Sequence, residues 1–336
     1  MWAHLGFVKS GDLDRGPELK SYCLSHRKDV DGLGSGSLSV AATGGQIILS
    51  DYDDLLDNLR KIPDDAERVV LSDLGSDGAD FPDFLNEMKR ITRNAKVTYI
   101  DHHYLSEPAK RQLRKSGVQV VHDVGECASI LTYKTFRDVL PNEARLNALL
   151  GAVTDYMDDS PMAKKLMEKS DRHFVLLEAM LLSLALGKRG DEEGFPEFVV
   201  EELSKMRLPH TMKGVPEAAL EQLDIEKSLA EEVKARGTKK GRLAYMVTTE
   251  HSTGNVAKLL IGAFDVPVGV AMKEKQGEWY EVSLRSTSES RVHLGRTIAR
   301  IAARLGGSGG GHRKAAGCRI PLSRADEMLD ALTKKV

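Results

Sequence analysis

The sequence predicts an α/β protein with an N-terminal parallel sheet flanked by helices, a helical linker and a smaller mixed α/β domain at the C-terminus. Three observations lead there. Short β-branched or apolar runs alternate with helix-like stretches through the first third of the chain, a long charged helical region follows, and three further strand-like runs lie beyond a Gly/Lys-rich break at residues 237–241. With 336 residues the chain exceeds the size at which one core usually keeps growing, so more than one domain is expected. The boundaries are expected at 1–186 for a catalytic domain, 187–240 for the linker and 241–336 for a second domain.

In order, strands are read at Ser21–Leu24, Gln46–Leu49, Val69–Ser72, Lys96–Ile100 and Gln119–His122, where β-branched residues cluster. Helices are read between them at Gly34–Ala42, Asp53–Lys61, Phe81–Arg90 and Glu107–Lys115. From Asn142 to Leu186 the spacing turns helical, with Leu146, Leu149, Leu150 and Val153 on one stripe and Phe174, Leu177, Met180, Leu181 and Leu184 on another. A Gly- and charge-rich stretch at 187–194 loosens the chain into helical sequence reaching Arg236. Strands are then expected at Leu243–Thr248, Val266–Lys273 and Trp279–Arg285, and a helix over Val292–Leu305.

Composition narrows the function classes. Hydrophobic residues at 41% and charged residues at 29% describe a globular chain, and no apolar run approaches the roughly 20 residues that span a bilayer. The opening Met1-Trp2-Ala3-His4-Leu5 lacks a basic-then-apolar leader pattern, so a cytoplasmic protein with no membrane partner is expected. Cys23, Cys127 and Cys318 are widely spaced and form no Cys-x-x-Cys pair, which points to buried free thiols. A net charge of −2 offers no global attraction to nucleic acid, so an anionic ligand must be held by local features.

Polar clusters follow the first, third and fourth strands: His26 through Asp31, then Asp73, then Asp101-His102-His103. In an open parallel sheet ligands bind at the carboxyl ends of strands, so these clusters are expected to converge. Asp29 and Asp31 flank Val30 on a turn where Gly32 permits a bend. Adjacent histidines after a carboxylate suit metal ligation, the carboxylate fixing an imidazole's orientation. Asp155 ends an apolar helical run and can face the same crevice, whereas Asp158 and Asp159 are read as capping residues before Pro161. The set holds carboxylates and imidazoles without thiolates, which suits Mn²⁺ and tolerates Mg²⁺. It exceeds the needs of one ion. Two divalent cations bridged by a carboxylate would activate a shared water against a phosphate, which is hydrolytic phosphoryl transfer.

Near the other end, the glycine run 306–311, interrupted only by Ser308, leads into His312 and Arg313. Lying between a helix and an apolar run, it is read as a loop that admits an anion to close backbone approach, with Arg285, His312 and Arg313 as cationic donors. No Gly-Lys-Ser/Thr closes it and it does not open from a first strand, which excludes a Walker loop and a dinucleotide fingerprint.

Together these residues resemble the DHH phosphoesterase superfamily, in particular its nanoRNase and RecJ-like branch with a DHH-associated C-terminal domain. His26 to Gly32 is similar to the first motif, Ser72-Asp73-Leu74-Gly75 to the second, Asp101-His102-His103 to the third and Thr154-Asp155 to the fourth. Ser283-Leu284-Arg285-Ser286 and the run ending in His312 resemble the C-terminal substrate motifs. The resemblance implies an active site in the cleft between the domains, with one ion on His26, Asp29 and Asp73 and another on Asp31, Asp73, His102 and Asp155. It further implies that His103 contacts the scissile phosphate, that Asp101 orients the neighbouring histidine, and that Arg285, Gly310, Gly311 and His312 hold the far phosphate or terminal nucleotide. His26 lies three residues before Asp29, where many small-substrate members have a spacing of four.

The expected activity is nanoRNase-like hydrolysis of short oligonucleotides or of linear and cyclic dinucleotides, extending to the phosphate of 3′-phosphoadenosine 5′-phosphate. Near-neutral charge and aromatics at 5% disfavour long single strands, which need a basic groove with stacking platforms. A RecJ-like single-strand exonuclease is the second expectation. A non-catalytic nucleic-acid or replication-complex module would have lost motif carboxylates, and none is missing. Pyrophosphatases with the same metal motifs carry a Lys/Arg-based C-terminal motif instead of the glycine run. A homodimer is the commonest arrangement for a soluble homo-oligomer.

Overall fold

A computed structural model describes residues 20–76, 80–275 and 277–336. Met1–Leu5, considered above as a leader, lies outside the described residues. The chain divides into two compact units, Met1–Gln222 and Leu223–Val336.

The first unit opens with β1 (Ser21–His26), α1 (Val30–Thr43), β2 (Gln46–Ser50), α2 (Leu55–Arg60), β3 (Arg68–Ser72), α3 (Phe81–Ile91), β4 (Lys96–Asp101), α4 (Glu107–Lys115) and β5 (Gln119–His122). The strands form one parallel sheet in the order β2-β1-β3-β4-β5. In the central strands β1, β3 and β4 alternate residues bury opposite faces, which is why they read as near-continuous apolar runs. Val69, Leu71, Val97 and Tyr99 join Leu59, Phe84, Met88 and Leu113 of α2, α3 and α4 in one core. Cys23, Val70 and Ile100 pack with Leu131 on the other face. The order reverses at β1, which lies between β2 and β3, so the crevice of this topology opens at the carboxyl ends of β1 and β3.

Helix α1 begins at Val30, four residues earlier than expected, so Asp29 is its N-cap and Asp31 lies in its first turn. Asp29 Oδ1 accepts from the Gly32 amide at 2.8 Å. Gly32 therefore serves close packing and not a turn: a Cβ there would stand 2.3 Å from the His26 carbonyl oxygen.

A helical layer follows, made of α5 (Ala128–Phe136), α6 (Arg145–Thr154), α7 (Pro161–Met167), α8 (Arg172–Arg189), α9 (Phe195–Ser204) and α10 (Val215–Arg236). Ser160, and neither Asp158 nor Asp159, caps α7. The core face of α8 is Val175, Ala179, Leu182, Ala185 and Leu186, whereas Phe174, Leu177 and Met180 of the expected stripe are exposed. Apolar residues occur all round this helix, so periodicity could not select its buried face.

The second unit takes in the larger part of α10, from Leu223, and adds β6 (Thr238–Lys240), β7 (Leu243–Val247), α11 (Thr253–Phe264), β8 (Val268–Lys275), β9 (Trp279–Ser286), α12 (Leu294–Arg304), β10 (Ser308–Gly311), β11 (Ala315–Pro321) and α13 (Ala325–Thr333). Its six-stranded mixed sheet runs β10-β11-β9-β8-β7-β6, and β7–β8, the parallel pair, is joined by α11 as crossover. Two expectations change here. The break at 237–241 contains β6, and the glycine run supplies an edge strand antiparallel to β11 instead of a loop. Small residues hid that strand, because a strand signal rests on side chains that glycine lacks.

Two glycines of this unit have opposite roles. At Gly269 a Cβ would meet the Ala257 carbonyl oxygen at 1.8 Å, so α11 lies directly on β8, while at Gly262 a Cβ would meet nothing within 4 Å. Gly269→Ala is predicted to destabilise the unit by about 3 kcal/mol through forced backbone shifts. Gly262→Ala, inside α11, is predicted to stabilise it by about 0.5–1 kcal/mol. Denaturant midpoints of the two variants moving in the same direction would contradict this packing.

Candidate metal centre

The register of the parallel sheet assembles the site. Ser25 pairs with Ser72 and Ser72 with Ile100, so His26, Asp73 and Asp101 are the next residues on three adjacent strands. Behind them Ser25 Oγ donates to the Gly32 carbonyl at 2.6 Å and lies 3.0 Å from Ser72 Oγ and 3.1 Å from Ser35 Oγ. These buried hydroxyls tie β1, α1 and β3 together where a bulkier side chain would separate them.

Asp73 is the centre. Its φ of 57° turns the chain in the left-handed region, which aspartate tolerates better than most residues at a cost of order 1 kcal/mol. The residue is 1% exposed, and Oδ1 is buried with no hydrogen-bond partner. Three triads could each hold an ion, their ligand atoms within 4.8 Å of one another: His26-Asp29-Asp73, Asp31-His102-Asp155 and Asp73-His102-His103. His26 Nδ1 is 2.9 Å from Asp29 Oδ2 and 3.8 Å from Asp73 Oδ2. His102 Nε2 is 3.4 Å from Asp73 Oδ1 and 3.8 Å from Asp31 Oδ2, and its Nδ1 is 3.7 Å from Asp155 Oδ2. His26 thus reaches the cluster despite its shortened spacing. Asp155 is the C-cap of α6, delivered by a different layer from the sheet.

Asp31 has a second task. Its Oδ2 and Oδ1 accept from the Ala128 and Ser129 amides at 2.8 and 2.9 Å, at the N-terminus of α5. The helix dipole and two amides hold the carboxylate in place while leaving lone pairs free. Gly151 of α6 lies so close that a Cβ would stand 2.4 Å from Asp31 Oδ1.

Asp101 is fully buried, as an orienting group should be. Its Oδ1 accepts from His103 Nδ1 and its Oδ2 from the Tyr99 hydroxyl, both at 2.9 Å. Nε2 of His103 therefore faces outward. There it meets the Tyr52 hydroxyl at 3.3 Å, with the Tyr52 ring also 5.3 Å from that of His26. Asp51 Oδ1 lies 3.6 Å from His26 Nε2. Sequence reasoning missed Asp51 and Tyr52, although they follow β2 as the motif residues follow β1, β3 and β4. The strand-end rule alone could have found them.

The electrostatics describe a site that wants cations. Burial, then the charge of Asp31, push Asp73 up to about 7, and the same two causes push Asp155 up to about 6. Burial disfavours the charged form of His26, but Asp29 and Asp73 outweigh it and raise the imidazole to about 10. Burial likewise opposes protonation of His102, yet Asp73 and Asp31 raise it to about 9. The Asp101 hydrogen bond raises His103. Protons thus do part of the work that a dication would do. A buried oxygen without a hydrogen bond, between two groups of carboxylates and imidazoles with no thiolate, fits a pair of Mn²⁺ or Mg²⁺ ions.

In the second unit, β9 places Arg285 beside Ala315 of β11, next to the turn that carries His312 and Arg313. The Arg285 guanidinium lies over the start of α11, its Nη2 2.9 Å from where a Gly254 Cβ would be. Gly310 and Gly311 belong to the edge strand, and Gly311 has φ 126°, open only to glycine at low cost. The Leu294 and Gly295 amides donate to the Arg313 and His312 carbonyls at 3.0 Å, fixing the turn on the N-terminus of α12.

A carboxylate–imidazole cluster thus sits at the carboxyl edge of a five-stranded parallel sheet, in a chain that also carries a mixed-sheet unit. Residues 241–336 match the DHHA1 domain family, and the chain has the DHH-plus-DHHA1 fold. No curated protein matches the sequence. Among solved structures, PggH of Vibrio cholerae, described as a pGpG-specific phosphodiesterase, is 16% identical with a TM-score of 0.60, the match covering 93% of this chain and 98% of that one. A DHH-domain protein described as a member of a family of ribosomal proteins is 16% identical with a TM-score of 0.67, covering 94% and 86%. RecJ of Thermus thermophilus, solved with Mn²⁺, is 14% identical with a TM-score of 0.59, covering 94% of this chain and 52% of RecJ. Among the described residues no helix is long and apolar enough to cross a membrane.

Metal binding should release protons. His26 and His102, raised to about 10 and 9, are protonated at pH 7, and a ligating nitrogen must be neutral. Apparent Mn²⁺ affinity is therefore predicted to rise from about pH 7 towards 9, by about tenfold per unit for each proton displaced. Calorimetry in buffers of different ionisation enthalpy measures that release, and heats independent of buffer would count against this ligand set.

Proposed function

We propose that the chain is a two-metal phosphodiesterase that hydrolyses short oligonucleotides or dinucleotides. The observation that carries this reading is the buried Oδ1 of Asp73, which makes no hydrogen bond and is set where the His26-Asp29 and Asp31-His102-Asp155 groups meet. In this reading His26, Asp29 and Asp73 hold one divalent cation, Asp31, Asp73, His102 and Asp155 hold the other, and Mn²⁺ suits the mixed nitrogen and oxygen set. Bound there, such a pair would lower the pKa of a water and neutralise phosphate charge.

The chain's own groups do the rest. His103, its Nδ1 held by Asp101, presents Nε2 to the scissile phosphate as a hydrogen-bond donor and can pass a proton to the leaving oxygen. Tyr52 steadies that nitrogen until substrate replaces its hydroxyl. Asp101, anchored by Tyr99, keeps the imidazole from rotating. In the second unit, Arg285, His312 and Arg313 suit a terminal phosphate, because β9 and the turn after the edge strand Ser308–Gly311 bring these cations to one end of the sheet, where side-chain-free Gly310 and Gly311 allow close approach. The activity printed for PggH and the Mn²⁺ in RecJ accord with this reading.

The test is hydrolysis of pGpG and of a linear RNA dinucleotide with Mn²⁺, beside pyrophosphate. Asp73→Asn is predicted to lower kcat by at least about 10³-fold, as loss of a group acting throughout the reaction does, and to reduce bound Mn²⁺ from two ions to at most one. His103→Asn should lower kcat by about 10²–10⁴-fold and leave metal stoichiometry unchanged. Turnover of pyrophosphate but of neither dinucleotide would overturn the proposal.

A further inference from the structure

The second unit carries a concentration of cations that the metal centre does not explain. From Arg291 to Lys314 the sequence contains Arg291, Arg296, Arg300, Arg304, Arg313 and Lys314, with no aspartate or glutamate. All six are exposed. None takes part in an ion pair among the described residues, and three carboxylates of adjoining elements have other partners: Glu281 of β9 is with Lys275, Glu327 of α13 with Arg324 and Asp330 with Lys240.

Helix geometry organises three of these charges. Arg296, Arg300 and Arg304 recur every fourth residue, so they share one face of α12 at steps of about 6 Å. The opposite face, Leu294, Ile298, Ile301 and Ala302, is buried in the core of the unit. The row begins at the turn already described, since the Leu294 and Gly295 amides hold the Arg313 and His312 carbonyls. Gly295 is part of that join: a Cβ there would stand 1.9 Å from the Gly311 carbonyl oxygen. Arg313 and Lys314 therefore lead directly into Arg296, Arg300 and Arg304, over a helix about 16 Å long.

Solvent makes such a row cheap, about 0.2–0.5 kcal/mol per like-charged pair one turn apart, but it creates a local positive field on a chain of net charge −2 that a polyanion can answer. We infer that the exposed arginine face of α12, entered from the His312–Lys314 turn, is a track for the backbone phosphates of a single-stranded nucleic acid extending beyond the terminal nucleotide. Regular charge spacing suits a repeating phosphate backbone better than a small anion, which needs converging donors. The inference relies on the phosphodiesterase reading for the substrate class alone. It makes the enzyme tolerant of chains longer than a dinucleotide.

The test uses the full chain and a labelled single-stranded RNA of about twelve nucleotides, bound in EDTA so that hydrolysis plays no part. Arg300→Ala with Arg304→Ala should weaken binding about tenfold at low salt and lower the slope of log affinity against log salt by about 1.4, two phosphate contacts at about 0.7 each. Arg300→Lys with Arg304→Lys should restore both, because phosphate here meets point charges, and thermal midpoints confirm that each variant is folded. With Mn²⁺, the ratio of kcat/KM for the long strand to that for the dinucleotide should fall about tenfold in the alanine pair. Unchanged binding and salt slope in the alanine pair would overturn the track, as would arginine-dependent binding to anionic lipid vesicles without any effect on RNA. If no nucleotide is hydrolysed yet the salt slope falls as stated, the catalytic reading fails and the track stands.

Discussion

A carboxylate taken out of water must be neutralised, paired or coordinated, and the first unit is arranged around one that is only partly satisfied. Asp73 has lost its hydration, and the proximity of Asp31 makes its ionisation harder still. Burying such a charge costs several kcal/mol, which His26 and His102 offset by carrying protons above their ordinary range. Much of the surrounding sequence follows from bringing these groups together. Gly32 and Gly151 admit backbone and side chains that any Cβ would displace, and the Ser25, Ser35 and Ser72 hydroxyls let β1, α1 and β3 meet without apolar bulk. A stable fold that needed only packing would fill this space with aliphatic residues.

The parts of this arrangement that are legible in the sequence depend on one strand-end rule and on side-chain patterns. Strands β1, β3 and β4 announce themselves because both faces are buried, and Asp29, Asp31, Asp73, His102 and Asp155 lie in the triads because the register of adjacent parallel strands and the cap of α6 deliver them there. Asp51 and Tyr52 are within reach of the same rule, since they follow β2, but what they touch is not: their partners, His26 and His103, are supplied by other strands of the sheet. The capping of α5 by Asp31 is equally invisible, since the amides of Ala128 and Ser129 have no side-chain signature. Strand β10 reads as a loop because backbone pairing alone forms it. These are non-local facts, and residue patterns report local ones.

Global charge is a poor guide to the ligand for a related reason. A net charge of −2 and few aromatics argue for short substrates, yet screening restricts the field felt by a phosphate to about 8–10 Å at physiological salt. At that range only neighbouring groups count, and the exposed charges of α12 are all cationic. The two units thus have opposite electrostatic characters: acidic at the carboxyl edge of the parallel sheet, where cations belong, and basic along α12, where phosphates belong. Near-neutrality of the whole is what the sum of two such opposed surfaces must give.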